Sequence, residues 1–360
     1  MPAALRNLLL GIAGLALVAA IVATAYIAPR RSAPPITLEE LRQKYQTPAS
    51  KYVEVAGVRV HYQDEGSGPV LLAFHGSFGA LQTYDGVAAK LRDRYRIIRF
   101  DQPPTGLSGP VPPGFDLTPE AFVHEFLAKL GVGPVAVIGN SSGGIFAYRY
   151  AASYPRDVTA VVLVNTPPSA PVDNAGALAR QPWIEQLSVK TCAKYAKRRS
   201  LTCWRDFLKS MYVRKERVTD ALVEQYYDYN RQPSAGQMTT IAAIMKIDAQ
   251  VIDFLSKITA PTLVIWGTHS PVLPPDTSKI LTSRLTATRP ELKVLENVAH
   301  YPPLEAPDEV AAAAGEFLDR VVPRDGTAAA PAAAAPMAPA PMASAPTAAV
   351  PTAAATPAAP

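Results

Sequence analysis

The feature that most constrains this chain is a series of short, largely apolar runs with helix-patterned stretches between them. The runs are Val70–Phe74, Arg96–Phe100, Val135–Ile138, Val158–Val164 and Thr262–Trp266, and helical spacing covers Ala80–Arg92, Pro119–Leu130 and Gly143–Ala152. A strand that is apolar at successive positions has both faces covered, and helices between such strands are the crossovers of a parallel sheet. Two more units follow: a helix from Thr277 to Leu285 with strand Leu292–Leu295, and a helix from Pro307 to Val321. Ahead of the series, Tyr52–Val55 and Val58–Tyr62 alternate apolar and polar residues around Ala56-Gly57, which is a hairpin pattern. The fold class is therefore α/β, with a doubly wound, mostly parallel sheet. With 48% hydrophobic and 18% charged residues, the chain is not disordered throughout.

The alternation breaks once. From about Pro167 to Met245 the chain reads as helices and proline-containing loops, and such an insertion is expected to be a helical cap over the carboxyl ends of the strands, where these sheets bind ligands. At the amino end, Leu8–Ala28 is a 21-residue run without a charged side chain. That is about the length needed to cross ~30 Å of hydrocarbon. Three readings stay open: an uncleaved anchor, a secretory signal with Ala23-Thr24-Ala25 as its small-x-small stretch, and a buried core helix. Positive charge stands on both sides, the amino terminus and Arg6 before and Arg30-Arg31 after, so loop charge does not orient the span. At the other end, residues 327–360 hold 18 Ala and 8 Pro with no charge, too little to offset the entropy of ordering, and are expected to be a disordered tail. The expected organisation is a membrane anchor or signal segment over 1–28, a linker over 29–50, core over 51–166 and 246–322, cap over 167–245, and tail over 323–360.

The segment richest in chemistry is Gly139-Asn140-Ser141-Ser142-Gly143-Gly144, between a buried strand and a helix. G-x-S-x-G at that junction is a nucleophile elbow: the turn is too sharp for flanking side chains, and the serine hydroxyl is thrust out at the sheet edge. Three other landmarks accompany it in order: His75-Gly76-Ser77-Phe78 after the third strand, Asp101 to Ser108 after the fourth, and Asn297 to Glu305 near the end. On these residues the chain from about Tyr52 to Val322 resembles a capped, serine-nucleophile α/β-hydrolase of the esterase, dehalogenase and peroxidase-like branch, although Pro104 replaces a usual glycine. The resemblance implies Ser141 as nucleophile, His300 as its base, and an oxyanion hole from the backbone N–H of Ser142 and one from the Ser77-Phe78 turn. Read blandly, Ser141 is an ordinary turn serine and His300 a surface-loop histidine. His75 reads as a structural residue of its turn, and His61 and His124 fall within a strand and a helix.

The third member of the triad departs from the pattern. Where relatives read W-G-x-x-D, this chain reads Trp266-Gly267-Thr268-His269-Ser270, and the alternative position at the end of the sixth strand holds Asn165. Three explanations stay open. Asn165 orients His300 through a neutral hydrogen bond; a carboxylate outside the usual slots, with Asp276 nearest to Ser270, reaches across; or the site is a Ser–His dyad. A serine at the elbow argues against the aspartate-nucleophile chemistry of haloalkane dehalogenases and epoxide hydrolases. What remains is hydrolysis of an ester, thioester, amide or carbon–carbon bond, or perhydrolase chemistry, none of which requires a metal or cofactor. The expected function is hydrolysis of a small apolar ester or related acyl substrate through a Ser141 acyl-enzyme. The alternative is a catalytically weak, receptor-like ligand-binding protein on the same fold.

The expected cap is basic. Between Arg180 and Arg217 eleven Lys and Arg stand against three acids, a net of +8 against +5 for the whole chain. A solvated helix face, docking on anionic lipid headgroups and attraction of an anionic substrate all fit that charge. Nucleic-acid binding does not, since no recognition motif accompanies it. Cys192 and Cys203 lack the His neighbours of a metal site; they form a disulfide if the domain is extracytoplasmic and packed thiols if it is not.

Overall fold

The structure, a computed structural model, describes residues 2–168, 182–195, 198–233 and 254–322. The expected tail over 323–360, the cap boundary at 245/246, and Arg180 and Lys197 of the basic stretch lie outside the described residues.

Helix α1, Ala3–Ile27, has no buried residue, so the core-helix reading of the amino-terminal run is corrected; by length and composition it is able to cross a membrane. The stretch after it is docked and is not a free linker. A 3-10 turn over Ala28–Arg30 leads to α2, Leu38–Tyr45, which opens on a capping box between Thr37 and Glu40. Eight strands follow: β1 Lys51–Val55, β2 Val58–Glu65, β3 Val70–Phe74, β4 Arg96–Phe100, β5 Val135–Asn140, β6 Val158–Val164, β7 Thr262–Gly267 and β8 Glu291–Leu295. Their order is β1-β2-β4-β3-β5-β6-β7-β8; β1 pairs β2 and β2 pairs β4 antiparallel, and every other pairing is parallel.

Period-2 geometry sends alternate residues of the inner strands to two separate cores. Leu72, Phe74, Val137, Leu163 and Trp266 face one core, which packs against α4 (Pro119–Leu130) and α5 (Ser142–Ser153). Leu71, Ala73, Ile138, Val162 and Ile265 face the other, which packs against α3 (Asp85–Leu91) and the closing helix Pro307–Val321. Continuous apolarity in the sequence is thus the signature of a sheet covered on both faces. The helix expected over Ala80–Arg92 is split. Leu81–Tyr84 forms a 3-10 turn, because the Leu81 N–H is drawn to Asp101 Oδ1 (2.8 Å), and α3 begins only at Asp85.

Between β6 and β7 the described insertion holds α6 (Trp183–Tyr195), α7 (Leu201–Ser210) and α8 (Asp220–Tyr229). Cys192 and Cys203 form a disulfide between α6 and α7. The segment after α1 binds these helices directly: Arg30 pairs with Asp206 (2.8 Å), the Ala33 N–H donates to the Arg198 carbonyl (3.0 Å), and Lys44 meets Asp228 (2.6 Å). Helix α9 (Asp276–Arg284) follows β7, and a short turn, α10 (Pro302–Glu305), precedes α11, the closing helix.

Candidate active site

Strand β5 delivers Ser141 to the edge of the sheet with φ +52° and ψ −123°. A non-glycine residue there carries about 1–3 kcal/mol of backbone strain. The turn closes only because its flanks are bare: a Cβ on Gly143 would run into the Phe74 and His75 carbonyls, and one on Gly139 into the Gly143 carbonyl. Helix α5 starts at Ser142, so its unsatisfied N–H groups and positive dipole end lie beside the serine.

His300 Nε2 lies 3.1 Å from Ser141 Oγ, and its Nδ1 lies 3.0 Å from Ser270 Oγ. The Ser270 hydroxyl oxygen also accepts the Leu273 N–H at 3.0 Å. His300 is only 4% exposed, and burial lowers its pKa from 6.5 to about 4, so the ring is neutral at neutral pH. Four hydrogen bonds at Ala299 and His300 help hold the loop that carries it. The His300 N–H donates to the Met211 carbonyl of the insertion (3.1 Å), and the His300 carbonyl accepts from Asn140 Nδ2 (3.3 Å). The Ala299 carbonyl accepts from Asn165 Nδ2 (2.6 Å), and the Ala299 N–H donates to Glu305 Oε2 (2.7 Å).

These contacts sort the expected His300 partners. Asn165 does not reach the ring, because its Nδ2 is committed to Ala299 and its Oδ1 accepts the Gly267 N–H at 2.9 Å. It positions the loop and not the imidazole, which corrects the expectation of an Asn–His bond. Asp276 heads α9 with its side chain 85% exposed and paired with Lys279 at 2.9 Å, so the expectation that it reaches across is also corrected. Ser270 alone among the three touches His300.

The expected oxyanion residues gather opposite. Phe78 has φ +66°, Ser77 Oγ donates to Ser142 Oγ at 2.9 Å, and a Cβ on Gly76 would stand 3.3 Å from Ser141 Cβ, a measure of how closely this turn approaches the elbow. The Phe78 N–H makes no hydrogen bond among the described residues, and the Ser142 N–H, first in its helix, has no intrahelical partner. Behind the turn, His75 Nε2 accepts the Gln102 N–H (3.0 Å), and burial lowers its pKa, which suits a neutral structural ring. Asp101 is fully buried and accepts from His61 Nδ1 (2.7 Å) and the Leu107 N–H (2.7 Å). Burial pushes its pKa up, but the hydrogen bond and charge of His61 outweigh that and leave it lowered.

Two residues near the site escaped the sequence. Glu305 is completely buried, and its Oε1 accepts the Val213 and Arg214 N–H groups at 2.7 and 2.8 Å while Oε2 holds Ala299. One carboxylate therefore ties the insertion to the His300 loop. Its place in the loop motif was visible, but nothing in a sequence says which way such a side chain turns. The other is Arg199, an unremarkable member of a basic run in the sequence.

Residues 69–307 match the family model of the alpha/beta hydrolase fold, and the chain belongs to that family. It is similar to haloalkane dehalogenase 2 of Mycobacterium tuberculosis (strain ATCC 25618 / H37Rv), 29% identical over 283 residues that cover 73% of this chain and 93% of that protein. It is similar as well to 2-(acetamidomethylene)succinate hydrolase of Mesorhizobium japonicum, 25% identical over 276 residues, covering 75% and 95%. Among solved structures, that of a membrane phospholipase A described as a bacterial virulence factor superposes with a TM-score of 0.64 at 25% identity, covering 88% of this chain and 99% of that one.

Proposed function

We propose that this protein is a membrane-anchored serine hydrolase that cleaves an apolar acyl ester through a Ser141 acyl-enzyme. The observation that carries the reading is the 3.1 Å approach of His300 Nε2 to a strained, glycine-flanked Ser141 Oγ. His300 takes the Ser141 proton as Oγ bonds to the ester carbon. The carbonyl oxygen gains the negative charge and rests on the Phe78 and Ser142 N–H groups, aided by the α5 terminus. Collapse expels the alcohol, which takes the proton from His300. Water then enters and gives a proton to the same ring as its oxygen bonds to the acyl carbon. The second collapse breaks the bond to Ser141 Oγ, which takes that proton back from His300 as the acid is released. In this cycle Ser270 orients the imidazole without supplying charge. The dehalogenase relative does not lend its activity to this chain, because the elbow residue is a serine.

Anchorage is supported by the unburied apolar α1 and by the likeness to a membrane phospholipase A, which favours an ester drawn from membrane lipid. The disulfide supports placing the domain on an oxidising side of the membrane. A second reading, a receptor-like binder, is favoured by one observation: the base is partnered by a hydroxyl and not by a carboxylate. p-Nitrophenyl butyrate separates the two. A burst of about one nitrophenolate per chain, lost in Ser141→Ala, supports the hydrolase; wild-type turnover no greater than that of Ser141→Ala supports the binder.

A further inference from the structure

Arg199, a half-buried residue of the insertion, stands out among the cations of the described residues. Its guanidinium carbon lies 5.0 Å from the ring centre of Phe78, 4.9 Å from Trp204 and 4.6 Å from Phe207, so three rings enclose it. Its Nη1 is enclosed with no hydrogen-bond partner among the described residues. Other arginines with an enclosed orphan nitrogen have other anchors: Arg99 has Glu65 and Asp85, Arg149 has Glu120, and Arg42 bonds the Leu107 carbonyl. No carboxylate pairs with Arg199 among the described residues. The ionisable group that acts on it is the phenol of Tyr301, itself kept neutral by burial. A partly desolvated cation without a counter-charge carries a cost, and ring faces compensate only part of it.

The location gives the orphan charge a meaning. Phe78 is a residue of the turn facing Ser141, and Tyr301 follows His300, so Arg199 is the insertion residue that meets both halves of the candidate site. The same aromatic cluster encloses three more polar groups without hydrogen-bond partners among the described residues, Trp204 Nε1 and the Tyr212 and Tyr226 hydroxyls. The arginine is held in place from both sides: Arg198 accepts the Ala33 N–H at 3.0 Å, and Ser200 caps α7 by accepting the Cys203 N–H at 3.3 Å.

We propose that Arg199 is the receptor for an oxyanionic group, carboxylate or phosphate ester, that the substrate carries beside its scissile ester. This rests on the hydrolase reading and narrows it: the preferred substrate is an amphiphile with an anionic end, not a wholly apolar ester. A charge-assisted hydrogen bond contributes about 1.5–3 kcal/mol, which corresponds to roughly 10- to 150-fold in affinity.

Three probes test it on the full-length protein: p-nitrophenyl hexanoate, which is neutral; the mono-p-nitrophenyl ester of hexanedioic acid, anionic on the acyl side; and 1-hexanoylglycerol 3-phosphate, anionic on the alcohol side. In Arg199→Met, which keeps length and apolar packing, KM for at least one anionic probe is expected to rise about 10- to 150-fold while kcat holds and the neutral ester changes less than about threefold. Arg199→Lys is expected to recover part of the loss. The probe that responds identifies the side of the ester on which the anion lies. Equal losses on all three probes, or no loss on any, would overturn the assignment. Calorimetric binding of the hexanedioate and phosphate probes to Ser141→Ala, with and without Arg199→Met, reads Arg199 without turnover. If both bind regardless of residue 199 the receptor fails, and if wild type cleaves nothing while binding depends on Arg199, only the hydrolase reading fails.

Discussion

Ser270 Oγ stands 3.0 Å from Nδ1 of His300 and 3.0 Å from the Leu273 nitrogen. With Nε2 receiving the Ser141 proton, Nδ1 carries its hydrogen, so two donors converge on one hydroxyl oxygen. The place is furnished for a carboxylate and holds a neutral side chain. Ser270→Asp is therefore expected to raise kcat on a p-nitrophenyl ester by about 100-fold or more, since neutralising the acid of a triad costs on the order of 10⁴. Ser270→Ala is expected to lower it only about 2- to 12-fold, the worth of one neutral hydrogen bond. A Ser270→Asp enzyme no faster than wild type would show that Nδ1 is not the orienting nitrogen.

The same relationship sets the pH dependence. Burial lowers the His300 pKa to about 4, so the acid limb of kcat/KM is expected near pH 4 and not near the ordinary value of 6.5. Ser270→Asp should move the limb upward, because an adjacent anion favours the imidazolium. For stability the sign is that of a depressed pKa. Between about pH 6.5 and 4 the unfolded chain binds the proton that the folded chain refuses, so the contribution of neutral His300 is full above 6.5 and lost as pH falls toward 4. Melting temperatures against pH for wild type and His300→Gln would show it: the variant's curve should be flatter over that interval.

Glu305 joins the insertion to the His300 loop through three backbone donors. Glu305→Gln turns an N–H toward one of them and leaves a buried donor unmet, at about 1–3 kcal/mol. The expected result is a lower Tm and a kcat reduced about 5- to 150-fold with KM little changed, because the defect reaches the base and not the binding surface. A KM rise at constant kcat would place its action in the insertion alone.

The disulfide and Arg30 fasten the same corner. Cys203 is bonded to Cys192, and Arg30 reaches Asp206 and Ser188. Closing an eleven-residue separation corresponds to roughly 3 kcal/mol of loop entropy. Cys192→Ser/Cys203→Ser is thus expected to lower Tm by several degrees and to increase proteolysis within the insertion while leaving the sheet protected in hydrogen exchange. Uniform loss of protection across the sheet would contradict a local role.

How much of this was legible beforehand follows from what each residue type encodes. Val158–Val164 appears in the structure with the bounds read from the sequence, because a strand buried on both faces is apolar at nearly every position, Thr159 being the exception here. The elbow was legible because its glycines are forced by carbonyls that leave no room for a Cβ. The partner of His300 was not. Asn165 and Ser270 both follow a strand end, and the choice between them turns on Asn165 being bent to φ +39° so that its amide bridges Gly267 and Ala299. No spacing rule carries that direction. The 29–50 stretch read as a linker by composition, yet it docks through Arg30, Ala33 and Lys44, whose partners lie more than 150 residues away in sequence.

The most direct test of the central assignment is covalent. Wild-type protein is incubated with a fluorophosphonate probe at pH 7.5 and digested, and the adduct is mapped by mass spectrometry. A single adduct on Ser141, abolished in Ser141→Ala and slowed in His300→Ala, is the result expected of a nucleophile 3.1 Å from its base. Labelling at another serine, or none above the Ser141→Ala background, would contradict it.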